Sequence, residues 1–332
     1  MRVVVLHGKV AKDAGKDELD VLVQRDTVSK ALVELGYDPV AVPFSLDMRG
    51  VAGELETLCP AFVFNLVESV EGRGRLIHLA PALLDHLEIP YTGSQTEAIF
   101  LTSNKLLAKT FLRGAGIPTP GWYTVKDFAR EGVEVSGPHI VKSVWEHASI
   151  GLDEESVVQP TRPEELRRTM EKRRGILAGE CFAEAYIDGR EFNLSVLANR
   201  DGPEVLPPAE IRFEGYPGGT PRLVGYRAKW DETSFEYRHT QRSFDFPGED
   251  RALLGRLARL AGECWRVFDL RGYARVDFRV DEEGRPWVLE VNANPCLSPD
   301  AGFSAAAERV GLTYSEVISR IIADMERSNR KA

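Results

Sequence analysis

The chain has 332 residues, 43% hydrophobic and 28% charged, enough to bury a sizeable core and to form two or three domains. A formal net charge of -9 and a pI near 5.4 argue against a nucleic-acid footprint, and the longest basic cluster, Lys172-Arg173-Arg174, reads as a solvated helix end. Cys59, Cys181, Cys264 and Cys296 show no CxxC spacing, so neither zinc nor a disulfide framework is indicated, and reduced thiols are expected. No apolar run approaches a membrane span, and Met1 to Leu6 is too short for the apolar core of a signal segment. The expected setting is the cytoplasm, with small-molecule partners and neither nucleic acid nor membrane.

The first elements predict a parallel α/β unit. Val3 to Leu6 reads as a buried strand, a loop from His7 through Gly15 leads to a helix over Glu18 to Leu35, and strands follow at Val40 to Pro43 and Ala61 to Leu66. Leu76, Leu79, Ala80, Leu83, Leu84 and Leu87 have helical spacing, which predicts a helix over 75–87. Lys9, Gly15 and Lys16 lie near the first loop, but neither GxxxxGK[ST] nor GxGxxG is present, which disfavours a P-loop and a Rossmann dehydrogenase.

Further along, a helix is expected around Asn104 to Arg113, with strands at Trp122 to Val125 and His139 to Lys142. The loop Glu146-His147-Ala148-Ser149-Ile150-Gly151 has small residues that could bring backbone N–H groups against phosphates. Phe182 to Ile187 and Glu191 to Leu197, joined by Asp188-Gly189, read as a hairpin. Residues 213–247 are rich in Gly, Pro and aromatics without a period, the mark of a functional loop, and include Lys229. Leu253, Leu257, Leu260, Cys264 and Phe268 form one stripe of a helix, which makes Cys264 a core residue. Helices at Phe303 to Val310 and Tyr314 to Met325 close the chain, the second opened by the capping box Thr313-x-x-Glu316.

The densest chemistry lies in Gly272 to Pro295. Tyr273 to Val280 alternates so that Val276, Phe278 and Val280 face a core while Arg275, Asp277 and Arg279 face the other way. After the turn Asp281-Glu282-Glu283-Gly284, Trp287 to Asn292 returns with Leu289 and Val291 inward and Glu290 and Asn292 outward. Pairing Val280 with Arg285 sets Arg275 across from Glu290, with Asp277 diagonal to it. Surface charge explains any one of these residues alone. As a set, two carboxylates and an Asn beside a cation suit Mg²⁺ held against phosphate oxygens.

Several motifs in order resemble ATP-grasp ligases of the D-alanine–D-alanine ligase type. Pro90-Tyr91-Thr92-Gly93-Ser94 followed by Asn104-Lys105 is similar to that family's PYTGS…DK segment, and Ile140-Val141-Lys142 to its VVKP strand. The resemblance implies an α/β (α+β) fold of three domains: an N-terminal Rossmann-like domain over 1–100, a central ATP-grasp subdomain over 101–187, and a C-terminal ATP-grasp domain over 188–332. It also implies ATP, two Mg²⁺ ions with Mn²⁺ as substitute, and a homodimer. By resemblance Lys105 and Lys142 bind ATP phosphates, the Glu184-Ala185-Tyr186-Ile187 strand holds adenine through its backbone, and Glu191 bonds the ribose. Lys229 closes over the γ-phosphate, Arg275 steadies the tetrahedral intermediate, Asp277, Glu290 and Asn292 ligate the metal, and Ser149 joins the catalytic set from the phosphate-side loop.

The departures fall on the amino-acid side. Leu19, flanked by Glu18 and Asp20, stands nearest the family's amino-group-binding Glu; Asn65 to Glu68 replaces a His-containing glycine-rich segment; Asp300-Ala301-Gly302-Phe303 replaces a Ser-Leu pair. The expected activity is ATP-dependent amide formation between a carboxylate and an amine through an acylphosphate, with an altered amino-acid pocket. A true D-alanine–D-alanine ligase of cell-wall synthesis is the alternative. A non-catalytic nucleotide-binding module is disfavoured, because binding alone has no use for groups aimed at phosphoryl transfer.

Overall fold

The run Val3-Val4-Val5-Leu6 is fully buried, as a strand covered on both faces must be. In the computed structural model, which describes residues 1–11, 14–146, 149, 151–177 and 179–329, it forms the middle of β1 (Arg2–Gly8). β2 (Asp38–Phe44) and β3 (Val63–Leu66) flank it in a parallel sheet ordered β2-β1-β3. Val3 and Val5 pack on Val28 and Leu32 of the helix Lys16–Glu34 and on Ile318 and Ile321 of the helix Tyr314–Asn329. Val4 and Leu6 meet Val51 and Leu55 of the helix Met48–Leu58 and Leu83 and Leu84 of Leu79–His86.

The helix expected over 75–87 is divided into a 3₁₀ turn, Gly74–Leu76, and an α-helix, Leu79–His86. Pro81 explains the break: its ring would clash with the carbonyl four residues earlier, so the α-helix starts late enough to hold it in the first turn. The helix Met48–Leu58 was not anticipated, since Gly50 and Gly53 weaken its propensity and only Val51 and Leu55 are buried along it.

β4 (Trp122–Thr124), β5 (His139–Ser143), β6 (Val157–Val158) and β7 (Cys181–Ala185) form an antiparallel sheet ordered β4-β7-β5-β6. The helix Pro163–Arg173 covers it, with Leu166 and Met170 against Val141 and Ala183.

The third sheet holds β8 (Arg190–Asn199), β9 (Gly202–Val205), β10 (Ala209–Phe213), β11 (Thr240–Ser243), β12 (Tyr273–Val280) and β13 (Pro286–Asn292). Its order is β11-β10-β8-β12-β13, with β9 on the far end of β8. The expected hairpin of 182–197 does not form: β7 bonds β4 and β5, whereas β8 bonds β10 and β12, so Asp188-Gly189 carries the chain from one sheet to the next. Gly189 has φ +138°, and a Cβ there would stand 2.1 Å from the Val280 carbonyl oxygen, so only glycine fits this crossing.

The core face of the third sheet, Phe192, Leu194, Val276 and Phe278, packs on Leu253, Leu257, Leu260 and Cys264 of the helix Arg251–Val267, the stripe that the sequence predicts. Each such buried aliphatic side chain contributes about 1.5–3 kcal/mol. The Thr313 capping box is also present: Thr313 N–H donates to Glu316 at 2.8 Å and Glu316 N–H to Thr313 Oγ1 at 3.3 Å. Residues 213–247 carry more structure than expected, with short helices Tyr226–Trp230 and Phe235–His239 leading into β11. Among the described residues no helix is long and apolar enough to cross a membrane.

Candidate active site

A cleft of about 700 Å³ is lined by residues from all three sheets, and the polar face of the third sheet is its floor. Register builds that floor. In β8 and β12, Glu191 stands opposite Arg279, Asn193 opposite Asp277 and Ser195 opposite Arg275. In β12 and β13, Asp277 stands opposite Glu290 and Arg275 opposite Asn292. Alternation sends the intervening residues into the core, so one face of three strands becomes a grid of acids, amides and guanidinium groups.

This register corrects the one expected from sequence. Asp281 N–H donates to the Arg285 carbonyl at 3.1 Å, so Val280 faces Pro286 and not Arg285. A bulge beside Asp277 and Phe278 then inserts one more residue of β13. Val288 takes the core position expected for Leu289, Leu289 turns to the cleft, and Asp277 meets Glu290 directly where a diagonal was expected.

Arg275 clamps Asp277 through two hydrogen bonds, at 2.8 and 2.9 Å, and Asn193 donates to the same carboxylate at 2.8 Å. Burial works against the Arg275 charge, but Asp277 outweighs it and holds the guanidinium above its usual pKa. Glu290 takes an ion pair from Lys105 at 3.5 Å, and Lys105 also donates to the Glu146 carbonyl at 2.7 Å. Asn292 accepts the Asn294 N–H at 3.0 Å.

Along the second sheet, Lys142 donates to Glu184 at 2.6 Å, and Lys109 pairs with the other oxygen of the same buried carboxylate. Burial alone would raise Glu184, and the two ammonium groups more than offset it, so its carboxyl stays below the ordinary value. Glu191 pairs with Arg279 at 2.8 Å, and that guanidinium lies over the Tyr186 ring at 5.7 Å. Ala185, Tyr186 and Ile187 line the cleft beside it.

Lys229, on the helix Tyr226–Trp230, also faces the cleft. Burial and the Arg275 charge lower its pKa, while Asp277, Glu290 and Glu191 pull it the other way. The segment before it is fastened at both sides: Ser149 Oγ donates to the Val224 carbonyl at 2.6 Å, and the Tyr186 hydroxyl donates to the Arg222 carbonyl at 2.9 Å. His147, Ala148 and Ile150 of the small-residue loop, and the Glu18 side chain, lie outside the described residues.

At the first sheet, Leu19 is 45% exposed while Asp20 faces the cleft. Asp20 accepts from Ser298 Oγ at 2.7 Å and Cys296 Sγ at 3.0 Å. Gln24 donates to Glu68 at 2.8 Å, and burial lifts Glu68 to a pKa of about 7. Pro90 to Ser94 serves as a joint between sheets: Asn65 N–H donates to Thr92 Oγ1 at 3.2 Å, and Arg271 N–H to Ser94 Oγ at 3.1 Å.

Sequence reasoning missed Lys109, Gln24 and Arg242 and left Arg279 without a role. Arg279 follows Arg275 and Asp277 at a spacing of two, a signal that was available. Lys109 sits four residues after Lys105 in an apolar stripe, which marks a buried cation needing a partner.

Comparison with known proteins bears on the family and the fold. The family model described as D-ala D-ala ligase C-terminus matches residues 111–323. The protein y4sG of Sinorhizobium fredii is 31% identical over 306 residues, covering 90% of this chain and 85% of that one. The D-alanine–D-alanine ligase of Alcanivorax borkumensis is 32% identical over 262 residues, covering 77% and 75%. Among solved structures, the Bacillus anthracis D-alanine–D-alanine ligase complexed with ATP superposes with a TM-score of 0.73 at 20% identity over 100% of this chain and 99% of that one. The VanG D-Ala:D-Ser ligase of Enterococcus faecalis gives a TM-score of 0.72 at 16% identity over 98% and 99%. The fold is that of the ATP-grasp ligases, and the chain belongs to the D-alanine–D-alanine ligase family.

Proposed function

We propose that this enzyme joins a carboxylate to an amine at the expense of ATP, through an acylphosphate. The observation that carries the reading is the grid at the cleft floor, where Arg275, Asp277, Glu290 and Asn292 lie in register on two strands with Lys105 and Lys229 facing the same space. Lys105, Lys142 and Lys229 take the phosphates, the backbone of Glu184 to Ile187 takes adenine, and Glu191, oriented by Arg279, takes the ribose.

Asp277, Glu290 and Asn292 suit Mg²⁺, a hard ion that accepts few protein oxygens and completes its shell with phosphate and water. Among the described residues no group of three or more His, Cys, Asp and Glu that could hold a metal converges. When bound, two such ions would neutralise charge on the transferring phosphoryl group.

The carboxylate of the first substrate attacks the γ-phosphorus in line and ADP leaves. The amine then attacks the acyl carbon, Arg275 donates to the oxygen on which charge collects, and phosphate departs as the amine loses its proton. Asp20 supplies negative charge for the ammonium group of an amino acid, and Glu68, lifted by burial to a pKa of about 7, adds to it where it has lost its proton. Relatives named D-alanine–D-alanine ligase support D-alanine as one candidate substrate, whereas the altered residues at 18–20, 65–68 and 300–303 support a different pair.

Phosphate release from ATP and Mg²⁺ across D- and L-amino acids, singly and in pairs, with mass spectrometry of the products, tests the proposal. A dipeptide or other amide formed together with ADP and phosphate is the expected result. NADH binding without ATP binding would overturn it.

A further inference from the structure

Arg242 lies in the cleft and is used by nothing described so far. It sits on β11 opposite Ile211 of β10, so both strands hold its backbone and only its side chain is free to serve a ligand. The guanidinium rests across Gly302: a Cβ placed there would stand 3.5 Å from one terminal nitrogen and 3.6 Å from Nε. Of five N–H donors, one makes a long hydrogen bond, 3.4 Å to the Asp300 carbonyl. Among the described residues no carboxylate forms an ion pair with Arg242, and the neighbouring Arg275 is already clamped to Asp277.

Two guanidinium groups thus face one part of the cleft: Asp277 is engaged by Arg275, and Asp300, which offsets part of the Arg242 charge, makes no ion pair with it among the described residues. Arg242 is exposed toward the cleft, and two like charges near one another there favour an anionic ligand group that meets both. Its place favours a substrate over the nucleotide, because Arg242 touches the segment after Ser298 that borders Asp20, while Lys142 and Glu184 line the cleft from the second sheet. The carboxylate that reacts is placed at Arg275, so the group at Arg242 is one that survives the reaction.

We infer that Arg242 selects the amine substrate by pairing with a carboxylate which that substrate carries and which the product retains. The inference rests on the ligase reading. Its test offers D- and L-alanine and D- and L-serine as the amine, each as the free acid and as the C-terminal amide, with a free amino acid as the carboxylate donor. Wild type is expected to favour the free acid in kcat/KM by about 10- to 100-fold. Arg242→Gln should erase most of that preference by raising KM for the acid, leave KM for ATP unchanged, and be partly rescued by Arg242→Lys.

Equal use of acid and amide by wild type, or a preference that survives in Arg242→Gln, would overturn the assignment. A rise in KM for ATP would move Arg242 to the nucleotide and overturn it equally. If no pair releases phosphate, the ligase reading fails separately. Calorimetric binding of the same acids and amides to enzyme holding a non-hydrolysable ATP analogue then decides: tighter binding of the acids, lost in Arg242→Gln, upholds the Arg242 assignment, and no difference sinks it.

Discussion

The two ends of the cleft differ in how their charges are settled. At the proposed nucleotide end, Glu184 lies between Lys109 and Lys142 and Glu191 meets Arg279, and on the floor between the two ends Asp277 is clamped by Arg275. At the amino-acid end, Asp20 accepts from Ser298 and Cys296, Glu68 from Gln24, and Arg242 reaches only a carbonyl. Paired charges are held in place before a ligand arrives, which is what stabilising charge on a phosphoryl group requires. Charges met only by neutral partners are left for the substrate to complete, and they decide which substrate does so.

The largest effects should come from the paired end. Asp277→Asn and Glu290→Gln each remove a proposed metal ligand, and kcat should fall by about 10³-fold or more, while the melting temperature stays within a few degrees of wild type, as expected for groups on the polar face of a strand. Unchanged phosphate release in both variants would refute the metal assignment. Lys109→Met leaves Glu184 with Lys142 as its one ammonium partner and should cost about 1–3 kcal/mol in urea unfolding. The double variant Lys109→Met, Glu184→Gln should recover part of that loss, because the charge that remains is on Lys142, which reaches solvent where Lys109 does not.

The amino-acid end should answer to pH instead. Glu68, at a pKa of about 7 against the ordinary 4.5, keeps a proton in the folded protein that the unfolded chain gives up. The stability this contributes is complete below pH 4.5 and is lost as pH rises through 7, a change of up to about 3 kcal/mol without substrate. Glu68→Gln should flatten that slope, measured by urea unfolding at pH 5 and pH 8. If the variant keeps the wild-type slope, the proton lies elsewhere. Smaller again, Gly189→Ala should cost about 1–3 kcal/mol through its positive φ and the Val280 carbonyl. At the bottom of the scale, breaking the exposed Arg167–Glu171 pair should leave the urea midpoint unchanged, since such pairs contribute almost nothing.

Much of the site could be read from the chain alone because it rests on alternation. Arg275, Asp277 and Arg279 share a face at a spacing of two, and the stripe from Leu253 to Phe268 declares its helix. What escaped depended on partners remote in sequence. One bulge moved Leu289 out of the core and set Asp277 directly opposite Glu290, and no local feature of β13 foretells it. Asp188-Gly189 has the chemistry of a hairpin turn, yet the competing strands on either side draw β7 and β8 into different sheets. Lys109 and Arg242 carry no motif at all; their roles come from groups 75 and about 60 residues away, brought near only by the fold.

The central claim is that a substrate carboxylate takes the γ-phosphoryl group. Amino acids labelled with ¹⁸O in the carboxylate should be incubated with enzyme, ATP and Mg²⁺, and the released phosphate examined by mass spectrometry. An acylphosphate route transfers one labelled oxygen to each phosphate formed with an amide bond. Unlabelled phosphate accompanying amide product would contradict it.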